Sequence, residues 1–293
     1  MALEADFRII LTGTPVENHL GELWNLFEFI NPGLLGTIID FQQQYAIPFE
    51  RDGGDAVRRK LKRLISPFIL RRTKSQVLPE LPSRTEVTLQ VELSPEEAAL
   101  YEALRQRAMD KIASALKGGK KGTQHLQILA EIMRLRRACC HPRLALDSTE
   151  IAGSKLALFS KTIDELVDNR HKVLVFSQFV DHLSILREEL DAKGVSYQYL
   201  DGSTPAKKRK TIVDAFQAGE GDVFLISLKA GGVGLNLTAA DYVIHMDPWW
   251  NPAVEDQASD RAHRMGQQRP VTIYRMITRG TIEERIAKLH IQK

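Results

Sequence analysis

Cysteine is nearly absent from these 293 residues: there are two, adjacent, at Cys139 and Cys140. Neighbours in sequence cannot tie distant parts of a chain together, so no disulfide framework is expected and a reducing compartment is. The His141 that follows them has no second pair of ligands at metal spacing, which argues against a zinc site. No apolar run approaches the roughly 20 residues of a membrane-spanning helix. The opening residues, Met-Ala-Leu-Glu-Ala-Asp, lack the regions of a secretory leader. A Gly-x-x-x-x-Gly-Lys-Ser/Thr phosphate loop is also lacking, and the stretch from Gly118 to Gly122 is expected to be a flexible basic loop instead. Nor does one sign of charge dominate, since 40 Lys/Arg against 37 Asp/Glu leave a net +3.

What is there has an ordinary globular composition, 43% hydrophobic and 26% charged, and enough length for two domains. The basic surplus is local. Between Arg51 and Lys74 stand nine Lys/Arg and two acids. That run suits a phosphate-facing patch or a solvated helix face.

Taken in order, Phe7–Leu11 reads as a buried strand leading into Thr12-Gly13-Thr14-Pro15, either two hydroxyls at a strand's carboxyl end or a plain turn. Leu20–Phe29 carries helical spacing and stops at Asn31-Pro32-Gly33. More helix is expected over Phe41–Tyr45 and Val57–Ile65. Thr85–Leu93 alternates as a half-exposed strand, with a domain boundary near it. Ser94, Pro95 and Glu97 form a strong helix start, for a helix reaching about Leu116. A second helix follows over Leu126–Cys139. Its core stripe is Leu126, Leu129, Ile132, Met133 and Leu135, with Arg134, Arg136 and Arg137 mostly off it.

From Ser154 onward helix and strand alternate. Strands are expected at Lys172–Phe176, Ser196–Leu200, Val223–Ser227, Tyr242–Met246 and Val271–Ile277, with Gly194 closing the helix over Val180–Lys193. Apolar strands alternating with helices imply an α/β fold, a parallel sheet with helices on both faces, plus α-helical insertions. Polar motifs follow the strands at their carboxyl ends, the rim where such sheets bind ligands. They are Ser177 and Gln178; Gly202, Ser203 and Thr204; Ser227 and Lys229; and the Gly231–Asn236 loop. Hydroxyls, amides and a lysine together suit a nucleic-acid backbone. The glycines Gly231, Gly232 and Gly234 admit close approach of a ligand, or simply a tight turn. Of Trp249 and Trp250, one is expected buried and one exposed, able to stack on a base.

The stretch from Asp256 to Gln267 is expected to be helical, with Arg261 and Arg264 one turn apart and Gln257 on the same face. Two forked, permanently charged donors aimed one way suit a polyphosphate. The alternative is a solvated helix with an Asp260–Arg264 pair.

Taken together these motifs resemble, in order, the motor of the Swi/Snf family, the DNA-translocating ATPases of helicase superfamily two. Leu11–Pro15 resembles its motif III, and Ser66–Lys74 with Leu78–Pro82 the segment joining its two lobes. Arg134–Pro142 resembles the end of its helical insert, Val173–Phe179 motif IV, Ser227–Leu237 motif V, and Gln257–Gln267 motif VI after Asp-Pro-Trp-Trp-Asn-Pro. The resemblance implies RecA-like lobes with ATP between them. Arg261 and Arg264 would be arginine fingers, with Gln257, Gly234 and Asn236 at the nucleotide. Ser177, Gln178, Gly202, Ser203, Ser227, Lys229 and Trp250 would face double-stranded DNA, and Thr12 and Thr14 would couple hydrolysis to lobe movement. It also implies ATP and Mg2+, with the Mg2+ ligands on the other lobe, and a cytoplasmic or nuclear setting according to source. The expected organisation is a remnant of the first lobe over 1–90, a helical insertion over 91–150 and the second RecA-like lobe over 151–293. Lacking phosphate loop and acidic box, these residues alone should hydrolyse almost no ATP. The competing reading is a non-catalytic DNA- or protein-binding module.

Overall fold

A computed structural model of the chain describes residues 5–13, 15–16, 19–52, 54–118, 121–146, 149–230 and 234–291. The chain divides into two compact units, Met1–Pro79 and Glu80–Lys293.

The first unit is helical. Helix α1 (Leu20–Ile30) turns Leu23 and Phe27 inward; α2 (Ile38–Phe41) starts from a Thr37–Asp40 capping box. A π-helical stretch, Gln42–Ala46, joins α2 to α3 (Ile47–Asp52), and α4 (Asp55–Ile65) follows. Leu23, Phe27, Leu35, Phe41, Tyr45 and Leu61 make the core. Helix α4 buries only Leu61, while Arg58, Arg59, Lys60, Lys62 and Arg63 are exposed. A short α5 (Lys74–Val77) closes the unit. The strand expected at Phe7–Leu11 is not formed, and Phe7 and Leu11 are 82% and 90% exposed. A strand needs a ladder partner and a face to bury, and among the described residues of this unit no strand offers either.

The second unit is built on six parallel strands: β1 (Arg84–Val91), β2 (Val173–Ser177), β3 (Tyr197–Leu200), β4 (Val223–Ser227), β5 (Tyr242–His245) and β6 (Val271–Thr278). Their order is β1-β6-β5-β2-β4-β3. Strand β1 pairs with β6 over its whole length, from Arg84 opposite Val271 to Val91 opposite Thr278. The division therefore falls before this strand, at Pro79, and not at residue 90. Backbone pairing makes β1 part of the second unit's sheet.

Two helices, α6 (Pro95–Gly118) and α7 (Lys121–Cys140), form the insertion after β1. They pack through Tyr101, Ala108, Leu135, Ala138 and Cys139. Helix α7 starts at Lys121, inside the segment expected to be loop. Helices α8 (Ser154–Asp168) and α9 (Val180–Lys193) cover one sheet face through Phe159, Ile163, Leu183 and Leu186. Helices α10 (Ala206–Gln217) and α11 (Pro252–Ser259) cover the other through Phe216 and Ala258. Gly194 ends α9 at φ +67°, a conformation that favours glycine. Helix α12 (Ile282–Ile291) returns to the insertion. Its Glu283 meets the buried Lys155 of α8 at 2.6 Å, and Lys155 also donates to the Met246 carbonyl.

Candidate nucleotide and nucleic-acid site

Both arginines lie beyond the helix expected to carry them. Helix α11 stops at Ser259, and residues 260–266 form turns. The segment is stapled to the loop ahead of β5. The Arg261 carbonyl accepts from the Leu237 amide at 3.0 Å, and the Arg264 Nη1 donates to the Leu235 carbonyl at 3.2 Å. Buried Gln267 donates from one amide nitrogen to the carbonyls of Thr238, Ala240 and Ala262. Arg264 and the neighbouring Gly234–Asn236 stretch are thus brought together, with Gly234 at φ +42° and both Gly234 and Asn236 exposed. Gln257 is exposed on α11, one turn before Arg261.

Arg261 is 5% exposed, yet its Nε has no hydrogen-bond partner, and among the described residues no carboxylate lies within ion-pair distance of it. Burial, and then the like charge of Arg264, pull its guanidinium down to about 10. A buried cation held beside another cation is costly unless an anion completes the site. Among the described residues Asp260 accepts from Arg84. This donor set fits the phosphates of a nucleotide.

The rim residues divide. Lys229, Gly202 and Ser203 are exposed, and Trp250, at 36%, is more open than Trp249. Asp201 shapes the Gly202–Thr204 turn by accepting from the Ser203 and Thr204 amides and hydroxyls. Burial opposes its charge, but these bonds hold its carboxyl below the usual range. Ser177 and Ser227 do not face outward. Both are buried: the Ser177 hydroxyl donates to Asp247 at 2.5 Å, and the Ser227 hydroxyl accepts from the Ala230 amide. Gln178 is half-buried and accepts from Arg136 at 3.1 Å.

Arg136 sets the surroundings of Ser177 and Gln178. The chain crosses from β4 past β2 to β5, so the carboxyl ends of β2 and β5 flank the notch where open sheets take ligands. Arg136, fully buried, fills it from α7. It donates to the Pro248 carbonyl, stands 3.7 Å from Asp247, and lies 5.2–5.7 Å from the rings of Phe179, Trp249 and Trp250. Burial pushes the Asp247 carboxyl up to about 6, against the pull of Ser177 and Arg136. Cys140, His182 and Asp247 bring ligand atoms within 4.8 Å, but Ser177 and the Gln178 amide already occupy the Asp247 carboxylate. Lys207, Lys208 and Lys210 are exposed in the first turns of α10, where the helix dipole disfavours cations; they were not singled out from sequence. Thr12 is exposed, whereas Thr14 and residues 231–233 of the glycine loop lie outside the described residues.

Residues 1–144 match the family model of the SNF2-related domain, and residues 154–266 that of the Helicase conserved C-terminal domain. Among curated proteins, the chain is 41% identical over 286 residues to the putative ATP-dependent helicase/translocase YwqA of Bacillus subtilis, covering 95% of this chain and 31% of that protein. It is 35% identical to the DNA excision repair protein CSB of Oryza sativa subsp. japonica, covering 99% and 26%. Among solved structures, it matches the Sulfolobus solfataricus SWI2/SNF2 ATPase core in complex with dsDNA at TM-score 0.62 and 35% identity, over 96% of this chain and 60% of that one. The C-terminal domain of the Sulfolobus solfataricus ATPase matches at TM-score 0.59 and 30% identity, over 71% and 85%. The chain spans about a quarter to a third of the length of the curated relatives it matches.

Proposed function

Because the chain belongs to the SWI2/SNF2 family, we propose that it forms the carboxyl-terminal part of an ATP-driven motor that moves along double-stranded DNA. Its second unit is the lobe that brings Arg261 and Arg264 to the nucleotide phosphates. The observation that carries this reading is Arg261 itself, buried, with its Nε unpartnered and with no ion-paired carboxylate among the described residues. Such a donor set is preorganised for charge that develops on a transferring phosphoryl group. When bound, ATP would supply the phosphoanhydride, and its Mg2+ would supply positive charge to offset that of the phosphates. Gly234 and Asn236, beside Arg264, and Gln257 on α11 complete the nucleotide side. The Mg2+ ligands and phosphate loop belong to an ATP-binding half outside these 293 residues.

On the DNA side, Lys229, Gly202, Ser203 and Trp250 supply exposed donors and an aromatic face. Gln178 supports them from its bond to Arg136. Contacts of this kind grip the backbone and carry no sequence information. Ser177 and Ser227 brace the rim from inside. Thr12 and Thr14 precede the lobe and couple it to hydrolysis.

The test is DNA-stimulated ATP hydrolysis. The 293-residue chain alone should turn over negligibly, and with the ATP-binding half of the same motor activity should appear. Arg261→Ala in that mixture should lower turnover by about a thousandfold while duplex DNA binding stays intact. Robust DNA-stimulated turnover by the chain alone, or full activity of Arg261→Ala, would refute the proposal.

A further inference from the structure

Backbone bonds set the position of Arg261, since among the described residues no carboxylate forms an ion pair with its side chain. Its amide donates to the Ala258 carbonyl at 3.3 Å, in the last turn of α11. Where α11 ends therefore decides where the guanidinium stands. That end carries two carboxylates, Asp256 and Asp260, one turn apart. Negative charge is unfavourable at a helix carboxyl terminus, and an eight-residue helix frays there unless the charge is neutralised.

Arg84, at the start of β1, neutralises it. One guanidinium nitrogen lies 2.7 Å from Asp256 and the other 3.3 Å from Asp260, so a single fork spans the turn. Its neighbours reinforce the grip. The Pro82 carbonyl is 2.8 Å from the His263 ring Nε2, and the Ser83 carbonyl accepts from the Val271 amide at 2.9 Å. The nitrogen that meets Asp256 also meets Glu86 at 2.5 Å, and Arg275 of β6 shares Glu86, takes Glu255 at 2.9 Å and touches Asp256 at 3.4 Å. Three successive residues, Pro82 to Arg84, thus hold the arginine segment or the strand after it. They lie just past the division at Pro79, at the point where the chain enters the second unit.

We infer that Arg84 is a positioning residue for Arg261: by bridging Asp256 and Asp260 it fixes the last turn of α11 and so the place where Arg261 is presented. The inference rests on the reading of Arg261 as phosphate-facing. Lysine cannot replace Arg84 fully, because one ammonium on a flexible stem has no fork to span two carboxylates.

The experiment uses the full-length motor containing this chain, with Arg84→Met, Arg84→Lys and Arg261→Ala, measuring DNA-stimulated kcat, KM for ATP and amide hydrogen exchange over 256–263. Arg84→Met should lower kcat about tenfold with KM within about twofold, the mark of an interaction made in the transition state. Exchange over 256–263 should rise, and Arg84→Lys should fall between Met and wild type in both readouts. If Arg84→Met does not fold, Arg84→Lys decides: reduced kcat with faster exchange supports the inference, and wild-type values overturn it. If Arg261→Ala abolishes turnover while a folded Arg84→Met keeps wild-type kcat, the positioning role alone fails. If Arg261→Ala keeps its turnover, the phosphate reading fails and this inference with it.

Discussion

Arg136 shows what a single residue can conceal in a sequence. The core stripe read from Leu126, Leu129, Ile132, Met133 and Leu135 leaves Arg136 mostly off it, so the sequence presents it as a surface residue. It is instead the plug of the notch between β2 and β5. Its presence also explains why Ser177 points inward although it ends a central strand. The spacing of Arg261 from Arg264 and their motif are visible in the sequence; the burial that leaves the Arg261 Nε without a partner is not, since it depends on residues 260–266 turning back to the loop ahead of β5. Buried histidines give a prediction at the same scale. His245 is buried against Phe176 and shares a 2.8 Å hydrogen bond with Ser259, and burial lowers it to about 4. The folded state keeps it neutral while the unfolded chain takes up a proton near its ordinary 6.5, so its contribution to stability is lost as pH falls from 6.5 toward 4. The full loss is about 3 kcal/mol. Asp247, raised to about 6, has the opposite slope between about 4 and 6 and is common to any pair of variants compared. In urea unfolding at a series of pH values, His245→Gln should therefore show a shallower acid limb than wild type.

At the scale of elements, periodicity and caps located every strand of the sheet within two residues at each end. They failed where an element depends on something outside its own window. Phe7–Leu11 has strand composition but no ladder. Helix α11 ends early because residues 260–266 turn back to bond the loop ahead of β5. The start of α6 was legible from Ser94 and Glu97, but the wider role of Glu97 was not. Its buried carboxylate accepts from the Ser94 amide at 2.9 Å and from the Ser154 amide at 2.9 Å, so it caps α6 and α8 together. Negative charge at two helix amino termini is favourable in both. Glu97→Gln should cost about 2 kcal/mol, and more than Ser94→Ala, which removes only one side of one cap. Paired urea melts would decide it, with equal losses counting against the shared cap.

At the scale of the whole chain, the small net charge of +3 hides separate basic surfaces. One is the outer face of α4; another comprises Lys207, Lys208 and Lys210 at the start of α10, with Lys229 exposed after β4. Duplex DNA affinity should fall linearly with the logarithm of salt, and Lys229→Ala should weaken binding evenly across sequences and reduce the slope by about one. A fluorescence titration at four salt concentrations measures it, and an unchanged slope would remove Lys229 from the phosphate contacts. The sheet's edge adds a mechanical consequence. The second unit begins with β1 and ends its sheet with β6, and the two run parallel across eight paired residues. Tension arriving along the chain at Glu80 pulls β1 lengthwise, so it loads the whole ladder in shear at once. Bonds stressed together share a force that would open them one by one if the strand were peeled. The entry strand is thereby a tether suited to passing a pull into the lobe without unravelling it.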